Sequence, residues 1–108
     1  MAAYLLQVAY TPEGWANLIQ SPQDRIEAIK PAIEQLDGMV IAGWLAFGEY
    51  DLIAIVEMPD NVSAAAFSIA ASAGGAVKAL HTTPLMTTEE GIQAMEKARS
   101  SVYEPAHT

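Results

Sequence analysis

The 108-residue chain contains no cysteine, so disulfides, thiolate metal sites and a cysteine nucleophile are excluded. It is also poor in cations. Five Lys plus Arg stand against thirteen Asp plus Glu, a formal net charge of −8, and such a surface repels phosphate backbones and anionic lipid. Neither nucleic acid nor a membrane surface is expected as a partner. No apolar run approaches the ~20 residues that cross a bilayer. The first run, MAAYLLQVAY, lacks a basic start, contains Gln7 and ends at a helix-capping sequence, so the expectation is a cytoplasmic chain without a leader.

Several chemical motifs are missing too. There is no Gly-x-Ser-x-Gly elbow, and the serines of FSIAAS fall in a helical pattern. AGG lacks the longer glycine pattern and the basic partner of a phosphate cradle. Of the two histidines, His107 sits one residue from the end and His81 lies alone in a strand pattern. No histidine pair has metal-ligand spacing, and neither a metal nor a cofactor is expected.

What is present is apolar. A hydrophobic fraction of 52% and a mean hydropathy of +0.20 are high for a chain with room for one domain, whose surface normally needs polar coverage. Part of that apolar surface is expected to meet another subunit.

Tyr4, Leu6, Val8 and Tyr10 alternate with Leu5, Gln7 and Ala9, the period of a strand. TPEG supplies a Thr11 cap with Pro12 at the first helical position, predicting a short helix to about Gln20. Ser21 and Pro22 repeat the device, and Ile26, Ile29, Ile33 and Leu36 then share one helical face, with Pro31 expected to kink or break it. MVIAGWLAF and DLIAIVEM read as a hairpin around Gly48 to Asp51. Gly48 there permits a positive φ, and Asp51 can bond to nearby amides. Asp60 or Asn61 caps a helix whose predicted apolar stripe is Val62, Ala65, Ala66, Ile69, Ala70 and Ala73. A fourth strand, AVKALHTT, precedes a helix with a Thr87/Glu90 capping box.

This order predicts an α+β, ferredoxin-like βαββαβ domain with an extra C-terminal helix and a four-stranded antiparallel sheet. One domain over residues 1–108 is expected, with its core at about 3–98 and a tail at 101–108. Both faces of the second and third strands are apolar, where such a sheet normally shows one solvated face. A second sheet packed against it, in a homodimer, would cover the extra face.

The segments YLLQVAYTPEGWANLI, PQDRIEAIKP, GWLAFGEYDLIAIVEMPDNVSAAA and AGGAVKALHTTPLMT resemble the GYD-domain family, named for the Gly-Tyr-Asp core represented here by Gly48, Tyr50 and Asp51. The resemblance spans about residues 3–98. It implies a dimeric α+β barrel and no particular reaction. A looser likeness runs to the effector domain of feast/famine transcription regulators, carried by the glycine turn and by Gly75, Val77 and Thr82 or Thr83. That likeness implies small-ligand sensing between subunits. The chain has no helix-turn-helix segment, so only the ligand module is in question.

Candidate site residues follow. His81 is the candidate acid/base, with Glu57 or Asp51 as its partner, and the bland alternative is a hydrogen-bonded strand histidine. Glu57 alternates with Ile53 and Ile55, so it is either an interface ion-pair member or an acid in an apolar pocket. Tyr50, Asp51, Trp44 and His81 are the candidate ligand contacts, although a tyrosine covering a hairpin end, an aspartate serving its turn and a tryptophan in a core or interface are common structural uses. Three functions remain open: a dimeric barrel binding a small, mostly apolar molecule, a cofactor-independent oxygenase or isomerase, and a purely structural oligomerisation module.

Overall fold

The computed structural model describes residues 1–106, which leaves His107 and Thr108 outside. The elements are β1 (Ala2–Tyr10), α1 (Pro12–Gln20), α2 (Arg25–Gln35), β2 (Met39–Leu45), β3 (Leu52–Met58), α3 (Asn61–Ala73), β4 (Val77–Leu85) and α4 (Thr88–Arg99). The strands form one antiparallel sheet in the order β2-β3-β1-β4. This is the ferredoxin-like βαββαβ arrangement, with α4 added.

Local chemistry starts each helix. Thr11 Oγ1 accepts from Gly14 N at 3.0 Å ahead of Pro12, as expected for α1. For α2 the cap is Asp24 rather than Ser21. Its Oδ1 accepts from the amides of Ile26 and Glu27 at 2.9 and 3.2 Å, and a carboxylate is a strong acceptor beside the positive end of a helix. The helix also continues unbroken through Pro31. The bond that proline removes would end on the carbonyl of exposed Glu27, where solvent can replace it. Ile26 and Ile29 before the proline, and Ile33 and Leu36 after it, pack into the same core.

The stripe expected on α3 is not its buried face. Ala64 and Phe67 are buried and Ala71 packs against the same cluster, whereas Val62 and Ile69 are 80% and 70% exposed. The largest side chain decides the rotation: Phe67 joins Tyr4, Leu6, Ile33 and Val56 in the main core, and its ring removes more apolar area than any alanine could. Tyr4 fixes the start of the helix by donating its hydroxyl to Asn61 Oδ1 at 2.5 Å.

The β2–β3 connection differs from a tight hairpin as well. β2 ends at Leu45 and β3 starts at Leu52, so residues 46–51 form the loop. Gly48 does not have a positive φ; Gly75 does, at 83°. Asp51 closes its own loop through its carbonyl and clamps β1 through its amide and side chain. Its carbonyl accepts from Ala46 N at 2.7 Å, its amide donates to Val8 O at 2.7 Å, and its Oδ2 accepts from Tyr10 N at 2.9 Å.

The capping box of α4 is present: Thr87 Oγ1 accepts from Glu90 N, and Glu90 Oε1 accepts from Thr87 N. Yet α4 buries no residue, and Ile92 and Met95 are 55% and 71% exposed. The radius of gyration is 17.1 Å, against about 13 Å for a compact domain of this length.

Candidate functional site

The inward face of the sheet and the helices do not close completely. Between them lies a cavity of about 410 Å³, within the ordinary size range of small-molecule sites. Its floor is Leu6, Val8, Leu52, Ala54 and Leu80 from the sheet. Its sides are Leu18 of α1, Ile29 of α2 and Phe67 of α3. The gap exists because the end of α3 and the turn after it carry only small residues there, Ala70, Ala71, Gly74 and Ala76. Gly14 on the same wall lies so close to β4 that a Cβ would sit 2.7 Å from Ala76 O.

One end of the cavity is polar. Tyr10, Asn17, Gln23 and Arg25 gather there, and no Asp or Glu lines the space. Tyr10 is held from two sides, by the hydrogen bond its backbone N–H donates to Asp51 Oδ2 and by edge-on contact with Trp15 at a centroid distance of 5.5 Å. Burial pushes its phenol above the ordinary tyrosine range, the adjacent Arg25 guanidinium draws it back down, and the Asp51 carboxylate adds a smaller upward push. Tyr10 therefore presents a neutral O–H donor at physiological pH. Arg25 Nη1 donates to Gln23 Oε1 at 2.8 Å, and Arg25 also borders a second hollow of about 490 Å³ that reaches Trp15 and Trp44.

The opposite face of the sheet holds most of the residues singled out from the sequence. Strand register aligns Trp44, Ile53, Gln7 and His81 in one row across it. The next row is Ala42, Ile55, Leu5 and Thr83, and the third is Met39, Glu57, Ala3 and Leu85. Tyr50 and His81 do come together, with ring centroids 5.3 Å apart and planes at 58°. Glu57 shares their face but stands two rows and two strands from His81, roughly 13 Å along the strands and ~10 Å across them. The two do not form a pair within one chain. Asp51 lies apart from that face, in its clamp on β1.

The cavity residues Tyr10, Asn17, Gln23 and Arg25 were not among the sequence candidates. Two signals marked them. Tyr10 has the inward parity of Tyr4, Leu6 and Val8, and Arg25 precedes Ile29 by one helical turn on the face that packs inward.

Helices on one face of an antiparallel sheet, with an apolar hollow between the layers and an apolar outer face, define an α+β domain of the ferredoxin-like class. The chain belongs to the GYD-domain family, whose GYD domain model matches residues 4–95, from β1 into α4. No curated protein and no solved structure matches it.

Proposed function

We propose that this protein is a homodimeric container for a small, mostly apolar molecule, which each subunit binds between its sheet and its helices. The cavity of about 410 Å³ with its mainly aliphatic lining carries the reading. An unfilled space of this size forfeits dispersion contacts and costs stability, so a structural module would gain by filling it. The second copy is supported by the outer sheet face, where Met39, Ile41 and Trp44 are 50%, 51% and 57% exposed beside Leu5, Ile53 and Ile55. It is supported also by α4, since a 12-residue helix that buries no residue is marginal in water.

The cofactor-independent oxygenase or isomerase reading has one observation in its favour. A neutral phenol beside a guanidinium in an apolar cavity could stabilise an enolate oxygen.

Two variants separate the two parts of the proposal. Ala71→Phe, which adds a ring at a half-buried position in the cavity lining, should abolish binding of a neutral dye such as Nile red while leaving the oligomeric state unchanged. Trp44→Asp should give the 11.5 kDa monomer by light scattering, because it places a charge in the covered layer. Unaltered dye binding in Ala71→Phe would remove the container, and a native chain that is monomeric at micromolar concentration would remove the dimer.

A further inference from the structure

The polar end of the cavity is composed of donors, and that narrows what it can hold. In a chain of net charge −8 with five cations, the only ionisable charge lining the space belongs to a cation, Arg25. Its neighbour on α2, Lys30, is neutralised by Glu27 at 2.7 Å, and this is the one ion pair among the described residues. Arg25 donates to Gln23, a neutral acceptor. The bond orients the guanidinium without cancelling its charge.

Its position is also unfavourable for local folding. Arg25 is the first residue of α2, at the positive end of the helix dipole, where a cation is destabilising. A solvated lysine or arginine would serve equally well anywhere else on the surface. Here Arg25 is half-buried as a residue, beside a tyrosine hydroxyl that is itself a donor, with the Asn17 amide on the same wall. With no carboxylate in the lining, the guanidinium at the cavity's polar end is left for a ligand's charge to match.

We propose that the cavity selects a small carboxylate with an apolar body, its carboxylate accepting from Arg25 and the Tyr10 hydroxyl and its hydrocarbon lying among Leu6, Leu18, Phe67 and Leu80. The inference rests on the container reading and adds the charge of the occupant. Guanidinium and carboxylate match as paired parallel hydrogen bonds, stronger than neutral ones and stronger still away from bulk water. The aliphatic floor accepts the remainder of the molecule by area burial alone, without demanding a particular shape.

The test compares octanoate with octan-1-ol, equal in length and different in charge, by calorimetry and by amide and methyl NMR shifts of the native chain. Octanoate should bind about tenfold or more tightly than the alcohol, the worth of one charge-assisted hydrogen bond, and both should shift Leu18 and Ala71. Arg25→Met, which keeps an unbranched apolar stem, should abolish the preference and leave octanol affinity within about twofold of native. Arg25→Lys should restore part of the preference, as a point charge without the fork. Octanol binding as tightly as octanoate in the native cavity would overturn the carboxylate assignment and leave the container standing. Neither compound shifting Leu18 or Ala71 would overturn both. The native-chain comparison decides the matter even if Arg25→Met fails to fold.

Discussion

Asp51 Oδ2 accepts the backbone amide of Tyr10 at 2.9 Å across 41 residues of sequence. The reason lies in the sheet. The β1–β3 ladder ends at Val8 opposite Leu52, and the β1–β4 register shifts between Ala9 and Tyr10. Tyr10 N thus loses a backbone acceptor just where its ring turns into the cavity. The aspartate replaces the missing carbonyl, and the family's Gly-Tyr-Asp loop, closed by the Ala46 N to Asp51 O bond, is tied to the cavity through Tyr10.

Asp51→Ala should therefore leave a buried amide unpaired and cost about 1–3 kcal/mol in denaturant unfolding. Asp51→Asn keeps an acceptor of the same reach and should cost less. Equal stability of Asp51→Ala and the native chain would show that the clamp contributes nothing.

The glycines of the two loops should separate by conformation. A Cβ at Gly48 meets nothing within 4 Å and its φ is not positive, so Gly48→Ala should be neutral or add about 0.4–1 kcal/mol by restricting the unfolded chain. A Cβ at Gly75 also meets open space, but φ there is 83°. Gly75→Ala should lose roughly 1–2 kcal/mol to left-handed strain. Thermal melts of the two variants, moving in opposite directions, are the expected result.

The alkaline limb of stability should contain Tyr10. Its folded pKa is raised, chiefly by burial, so above the ordinary value of about 10 the unfolded chain releases a proton that the folded chain still holds. The associated stability is complete below about pH 10 and is lost as pH rises through the higher folded value. Tyrosinate absorbance should contain a late phase from Tyr10, and Tyr10→Phe should remove that phase. A late phase that persists in Tyr10→Phe would assign it elsewhere.

Much of the fold was legible because its signals are local. The alternation of β1, the Thr11 and Asp60 caps and the Thr87/Glu90 box each depend on residues within one turn of each other. The rotation of α3 was not legible in the same way. Ala64, Phe67 and Ala71 describe as good an apolar stripe as Val62, Ala65, Ala66, Ile69, Ala70 and Ala73, and a helix with alanines on both sides carries little periodic contrast. The cavity was hidden for a different reason. It is a space left between α1, α2, α3 and the sheet by small side chains, and no single residue announces a gap. Tyr50, Trp44, His81 and Glu57 stood out as polar or aromatic interruptions of apolar strands. Those interruptions are arranged by strand parity, which put them on the outer face, whereas Tyr10 and Arg25 fit their elements' patterns and carry no such contrast.

The strand order has a consequence for how the chain reaches this structure. β1 is flanked on both sides by strands far downstream: Ala3 pairs with Glu57 and with Leu85. Trp15 and Leu18 of the adjacent α1 cover only its end at residues 8–10, and its ladder partners must come from far downstream, so the sheet closes late and at a large loop-entropy cost. During synthesis, β1 must wait as an unpaired strand edge, the state most prone to intermolecular pairing. The expected outcome is slow refolding, with losses that grow with protein concentration through tracts such as LLQVAY, independently of what the cavity binds.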